Sequence, residues 1–243
     1  MHVEALAIRL RPRSNGEAAD LGVRLCQAAA PSVFGCYLAV ALPLFVVCLA
    51  CFELAQWLPT VAIWLAKPWL DRTILFVLAR AAFGQKTTPW DVFRARRQVW
   101  WSQLLRTWTQ RRLSPWRSLT GPVYQLEGLR GSRLRKRVRQ VRAGKASAGL
   151  LVTGAFNLAE AAIVAAILSL FVWLTPEGMQ PTIPILLDPS NHGIVQFVVA
   201  LAYAVAVAFV EPFYVAAGFG VYLNRRVELE AWDIEQELRR AMP

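Results

Sequence analysis

Histidine is nearly missing from this chain of 243 residues, and methionine and cysteine are scarce. His2 stands at the start and His192 at the edge of a proline-rich segment. A His-based metal site, a Ser-His-Asp triad or a bis-His haem has almost nothing to be built from. No phosphate-cradling glycine loop occurs, and Ser114-Pro115-Trp116-Arg117-Ser118 carries turn chemistry rather than a nucleophile elbow. No catalytic, cofactor-binding or metal-ligating residue is therefore assigned. The four cysteines, Cys26, Cys36, Cys48 and Cys51, fall in or just before the first long apolar run. With no partner cysteines in the segment expected to face outside, they imply no disulfide framework. Cys48-x-x-Cys51 has redox spacing, but thiols inside a lipid-embedded helix stay protonated, so helix packing is the expected role. The polar lead of about thirty residues is too long for a signal peptide, and the first apolar run is expected to be retained.

Charge of one sign is missing by segment. Thr175–His192 has no Lys or Arg, whereas Lys86–Lys145 holds sixteen against two acids, Asp91 and Glu127. Long apolar runs separate these blocks: Val33–Leu58, Val61–Phe83, Ala148–Leu174 and Gly193–Leu223. About 20 apolar residues cross a bilayer core of ~30 Å, while a soluble core helix rarely needs more than 10–14 in a row. The alternation is what the positive-inside rule expects of a multi-pass membrane protein. It predicts an all-α, polytopic integral membrane protein with about four transmembrane helices and both termini in the cytoplasm. The net charge of +11 comes from the middle block. It is read as a loop facing anionic lipid headgroups, with no nucleic acid implied.

The expected organisation is a cytoplasmic segment at 1–31, a first membrane hairpin at 32–84 and a basic cytoplasmic loop at 85–147. A third span at 148–174, a periplasmic loop at 175–192, a fourth span at 193–224 and a cytoplasmic tail at 225–243 follow. Ser14 or Asn15 is placed to cap a short interfacial helix over Glu17–Ala30. Lys67, Pro68, Asp71 and Arg72 interrupt the second run, so 59–83 is read as a discontinuous span, with a re-entrant hairpin as the competing picture. Lys67 and Asp71, four apart, are expected to pair.

Thr88-Pro89-Trp90-Asp91 is a helix start. From it Trp90, Phe93, Arg97, Trp100, Trp101, Leu104, Leu105 and Trp108 recur at helical spacing, the pattern of an interfacial amphipathic helix. Ala155, Ala159, Ala162 and Ala166, and Ala200, Ala204 and Ala208, are small-residue stripes suited to close helix contact. Glu211-Pro212 interrupts the last run.

The intramembrane candidates are Asp71, Arg72, Glu160 and Glu211, since ionisable residues within spans mark proton relays or ion ligands unless they pair. The cytoplasmic interaction candidates are Arg111, Arg112, Arg117, Glu127, Arg225, Arg226, Glu228, Glu230 and Asp233. The acids of the tail are expected to dock on the basic loop.

Three stretches carry a family likeness: Lys67-Pro68-Trp69-Leu70-Asp71-Arg72 running into Phe76–Gly84, Arg111–Glu127, and Glu211–Glu235 with Tyr222-Leu223-Asn224-Arg225-Arg226-Val227-Glu228. There the chain resembles a bacterial inner-membrane family similar to YciC-like proteins and to the membrane domain of some glycerophosphoryl diester phosphodiesterases. The resemblance implies a helical membrane protein encoded beside a MoxR-type ATPase and a transglutaminase-like membrane protein, both expected partners. It transfers no catalytic residue, and the phosphodiesterase barrel has no counterpart. The leading expectation is a non-enzymatic scaffold or accessory subunit. The alternatives are a small transporter or channel using the intramembrane carboxylates and, third, a lipid-active enzyme.

Overall fold

The computed structural model describes residues 13–101, 114–174 and 192–230. Every regular element among them is helical. The helices are α1 (Asn15–Ala28), α2 (Ala30–Ala50), α3 (Leu58–Ala81), α4 (Pro89–Arg94), α5 (Arg117–Leu126), α6 (Gly131–Arg142), α7 (Ala146–Leu174) and α8 (His192–Glu230). A 3-10 turn at Cys51–Glu53 and a π turn at Arg97–Trp101 complete the set. Three segments are long and apolar enough to cross a membrane: Ala30–Glu53, Ala146–Leu174 and Gly193–Glu230. The protein is thus an all-α membrane protein. The second apolar run, with its charges at Lys67, Asp71 and Arg72, forms α3, which has the length of a span but not the uniform apolarity.

The central post is α8, which packs against α1, α2, α3, α5 and α7. Its 39 residues are unbroken, about 58 Å at ~1.5 Å per residue, so it outruns a ~30 Å hydrocarbon core. Pro212 lies inside it and Pro68 inside α3. Two expectations are corrected here: α3 is not discontinuous, and Glu211-Pro212 does not break the last helix. Each proline removes one N–H donor from its ladder, and the flanking turns, packed on neighbouring helices, carry the helix across. Beyond α3 the chain has returned to the start of α2, where the Cys36 thiol donates to the Thr87 carbonyl at 3.5 Å. The two helices therefore form an antiparallel hairpin.

Of the two expected candidates it is Ser14 that caps α1, with a complete capping box to Glu17. The helix does not lie apart at an interface, however. Ala18, Gly22, Leu25 and Cys26 form a buried stripe, and α1 packs on the second half of α8. The approach is glycine-limited: a Cβ on Gly22 would stand 2.0 Å from the Ala216 carbonyl oxygen, and one on Gly220 2.1 Å from that of Ala18.

The expected amphipathic helix from Thr88 is shorter than its periodicity suggests. Thr88 and Asp91 form a reciprocal cap, but α4 stops at Arg94 and the backbone widens into the π turn. Leu104, Leu105 and Trp108 lie outside the described residues. Trp90, Phe93 and Trp101 are exposed, while Trp100 turns inward to donate to the Thr73 hydroxyl at 3.0 Å. Arg72 explains the widening: its Nε donates to the Val99 carbonyl and its Nη2 to that of Gln98 at 3.4 Å. On α8 the stripe Ala200, Ala204 and Ala208 faces the bundle. On α7 the stripe Ala155, Ala159, Ala162 and Ala166 is exposed instead, and Phe156, Glu160, Ile163 and Val164 take the inner side.

Candidate functional site: a buried chain of alternating charges

Lys67 and Asp71 share one face of α3, Arg117 begins α5, Glu160 is the middle residue of α7, and Glu211 lies in α8. Packing of these helices places all five side chains in one line. Lys67 Nζ bonds Glu160 Oε2 and lies 2.8 Å from Glu211 Oε2. Arg117 Nη2 reaches Glu211 Oε1 at 2.6 Å, and its Nε lies 3.0 Å from Asp71 Oδ2. The order is Glu160, Lys67, Glu211, Arg117, Asp71, with signs alternating and a carboxylate at each end. Glu211, clasped by both cations, has a side-chain exposure of 1%.

An alternating chain with acids at both ends carries one more carboxylate than cations. Charges placed in low dielectric must be compensated or neutralised by a proton. At the Asp71 end the carboxyl is buried and stands in side-chain hydrogen-bond reach of Glu211 as well as beside Arg117. At the Glu160 end the chain faces a cavity of about 780 Å³ running between α3, α7 and α8. On α7 its lining extends from Thr153 through Asn157, Glu160 and Val164 to Leu168, about 22 Å at ~1.5 Å per residue. The cavity is polar beside Arg117, Thr153 and Tyr214 and apolar beside Trp64, Val164 and Leu168. Thr153 fixes the polar end, donating to the Pro115 carbonyl at 2.6 Å and lying 3.2 Å from the Tyr214 hydroxyl. The Arg117 guanidinium also stacks over the Tyr214 ring at 4.9 Å.

Three of the four intramembrane candidates, Asp71, Glu160 and Glu211, therefore meet, while Arg72 turns away to the π turn. Lys67 and Asp71 do not form the expected i,i+4 pair, because Glu160 and Glu211 claim the lysine and Arg117 the aspartate. Arg117 also departs from its expected place. Expected on a cytoplasmic surface, it is instead carried into the bundle by α5, whose Leu119 and Val123 are fully buried. The close seat of α5 depends on Gly218, where a Cβ would stand 2.2 Å from that of Ser118.

The remaining surface candidates are largely spoken for within the chain. Arg137 of α6 donates to Glu127 at 2.8 Å and to Glu230, and Tyr222 donates to Glu127 at 2.8 Å. Burial works against the charge of Arg137, yet the hydrogen bonds to Glu127 and Glu230 hold its guanidinium above the ordinary range. Lys145 meets Glu228 at 2.7 Å, Arg225 meets Glu228 at 2.9 Å, and Arg226 meets Glu230 at 2.6 Å. The expected docking of the acidic helix end on the basic loop is present for Glu228 and Glu230. Asp233, Arg111 and Arg112 lie outside the described residues. Among the described residues no cluster of His, Cys, Asp and Glu suits a metal ion.

No family model, curated protein or solved structure matches the chain.

Proposed function

We propose that this protein is a small transporter of the inner membrane in which the intramembrane carboxylates carry a proton or cation. One observation supports this above the others: a five-residue charge chain with a surplus carboxylate borders a large open-sided cavity between α3, α7 and α8. Ionisable groups placed deep in a membrane bundle and next to a cavity are the usual mark of an ion or substrate path. In this reading α2, α3, α7 and α8 make four crossings. The positive-inside rule then puts the basic end of the bundle, with α1, α6 and the end of α8, in the cytoplasm.

The test is proton flux in proteoliposomes, driven in one run by a potassium diffusion potential and in another by a gradient of an organic ammonium salt, read with an internal pH dye. Wild-type protein is expected to pass protons, and Glu160→Gln and Glu211→Gln to lose most of the flux while remaining folded by gel filtration. Equal flux in wild type, variants and empty vesicles would sink the proposal.

A second reading, a scaffold or accessory subunit serving MoxR-type ATPase and transglutaminase-like partners, is favoured by a separate observation. Arg133, Arg135, Lys136 and Arg139 of α6 are exposed and free to meet acidic proteins or anionic headgroups. Because α5 is built into the bundle, the loop cannot simply be deleted to test this. Replacing those four residues with Ala and comparing co-purified membrane proteins makes the test, and unchanged recovery would end the scaffold reading.

A further inference from the structure

We infer that the cavity takes a single-chain cationic amphiphile, whose ammonium head docks at Glu160 and displaces a proton from Asp71 at the other end of the charge chain. The inference rests on the transporter reading and deepens it by naming the substrate class.

The shape of the cavity suits a chain-like ligand. A cavity of about 780 Å³ falls within the ~300–1,000 Å³ typical of pockets that engulf a ligand. Here it is elongated and divided along its length. Past Glu160 on α7 its walls are Ala161, Val164, Ala165 and Leu168, faced by Trp64 of α3. That half, where the Thr60 hydroxyl is the one polar group among apolar walls, offers an alkyl chain a path along the helix. Glu160, Asn157 and Tyr203 stand where the path meets the charge chain and supply both acceptors and a hydroxyl for a polar head.

The charge balance suits a cationic head. The titratable and charged groups facing this line are Lys67 and Asp71 from α3, Arg117 from α5, Glu160 from α7, and Glu211, Tyr203 and Tyr214 from α8. Tyr37 of α2 also reaches the bundle interior, where it donates to the Val207 carbonyl at 3.2 Å. With the tyrosines neutral, two cations face three carboxylates, so neutrality requires one further positive charge. Asp71, buried and in hydrogen-bond reach of the Glu211 carboxylate, is where a proton completes the count, since two adjoining carboxylates cannot both stay charged without one. An ammonium at Glu160 competes for the bond Lys67 makes there. Lys67 then leans on Glu211, Arg117 shifts its weight towards Asp71, and the Asp71 O–H bond breaks to release the proton to solvent. One cation enters, one proton leaves, and the buried charge stays balanced. An anionic head would meet cations already engaged and add to the surplus of negative charge.

The test uses protein in phosphatidylcholine nanodiscs in weak buffer with a pH dye, titrated with dodecylammonium. Wild type should release about one proton per bound amphiphile, with apparent affinity rising about tenfold per pH unit while Asp71 is protonated. Asp71→Asn should bind without releasing a proton and lose the pH dependence. Glu160→Gln should lose both binding and release. Val164→Trp, which fills the apolar half, should abolish the response to dodecylammonium but not that to methylammonium. Release equal to that of empty nanodiscs, or equal release in Asp71→Asn, would overturn the inference. So would a wild-type response to methylammonium as strong as that to dodecylammonium. Proton flux in proteoliposomes that is present yet indifferent to dodecylammonium would leave the transporter reading standing and remove this one. Absence of both flux and binding would remove both.

Discussion

Replacing Arg117 by Met separates a buried structural cation from a surface arginine. Arg117 serves two carboxylates at once, Glu211 at 2.6 Å and Asp71 at 3.0 Å, with its own side chain 11% exposed and theirs 1% and 14%. Met keeps the volume and removes the charge, leaving Lys67 as the one cation of the line against three acids. Removing one partner of a buried ion pair costs about 3–5 kcal/mol, whereas an exposed pair contributes about 0–1 kcal/mol. For a chain of this size the larger figure corresponds to a fall in Tm on the order of 10 °C. Thermal unfolding in mild detergent, followed by helical circular dichroism, measures it. The double variant Arg117→Met with Glu211→Gln removes the carboxylate left without its second cation and should recover part of the loss. The expected coupling energy is on the order of 1–3 kcal/mol for groups in direct contact. A single-variant loss within about 1 kcal/mol, or additive behaviour in the cycle, would show that Arg117 does not hold the charge chain together.

Two glycine-to-alanine changes should act with opposite sign. Gly22→Ala drives a Cβ to 2.0 Å from a backbone oxygen of α8 and is expected to cost at least the ~1–3 kcal/mol of core overpacking. Gly154→Ala, on α7 with nothing within 4 Å, should stabilise by ~0.4–1 kcal/mol. Both are read from the same thermal scans. Reversing Glu228 and Glu230 to Lys should free α6 from the end of α8. Limited proteolysis should then cut between Leu126 and Ala146 faster than in wild type, the contrast shrinking at high salt as surface pairs are screened. The carboxyl of Asp91 is held below its ordinary range, first by the backbone hydrogen bond from Thr88 and then by the Thr88 hydroxyl. A depressed acid stabilises the folded form above its ordinary value, ~3.9, and the gain fades as pH falls through the folded value. Amide exchange across α4 should therefore stay slow at pH 5 and quicken below pH ~4.

Three of the spans, the start of α1 at Ser14 or Asn15, the Thr88 cap and the pairing of the acidic helix end with the basic loop were legible because each is written in local pattern. Apolar length, a capping residue ahead of a helical run, and opposite charges in bulk need no tertiary knowledge. The continuity of α3 and α8 was not legible, since a proline marks a missing hydrogen bond but cannot say whether neighbouring helices hold the turn straight. The exposed alanine stripe of α7 failed for a related reason. Small residues permit close contact without compelling it, and here the larger Phe156 and Ile163 took the inner face. Arg117 is the instructive miss. Among sixteen basic residues between Lys86 and Lys145 it looked like one more surface charge, yet from Leu113 to Leu126 it is the single charged residue. Its segment carries Pro115, Gly121 and Pro122, residues suited to folding back against a bundle rather than to lying along a headgroup surface. Isolation of one charge in an otherwise neutral stretch is a local signal that such a residue is destined for a partner inside. Lys67 shows where local reading ends: its spacing to Asp71 allowed an intrahelical pair, but an i,i+4 bond is worth only a few tenths of a kcal/mol. Two carboxylates brought within reach by other helices, in a medium far less screening than water, outcompete it.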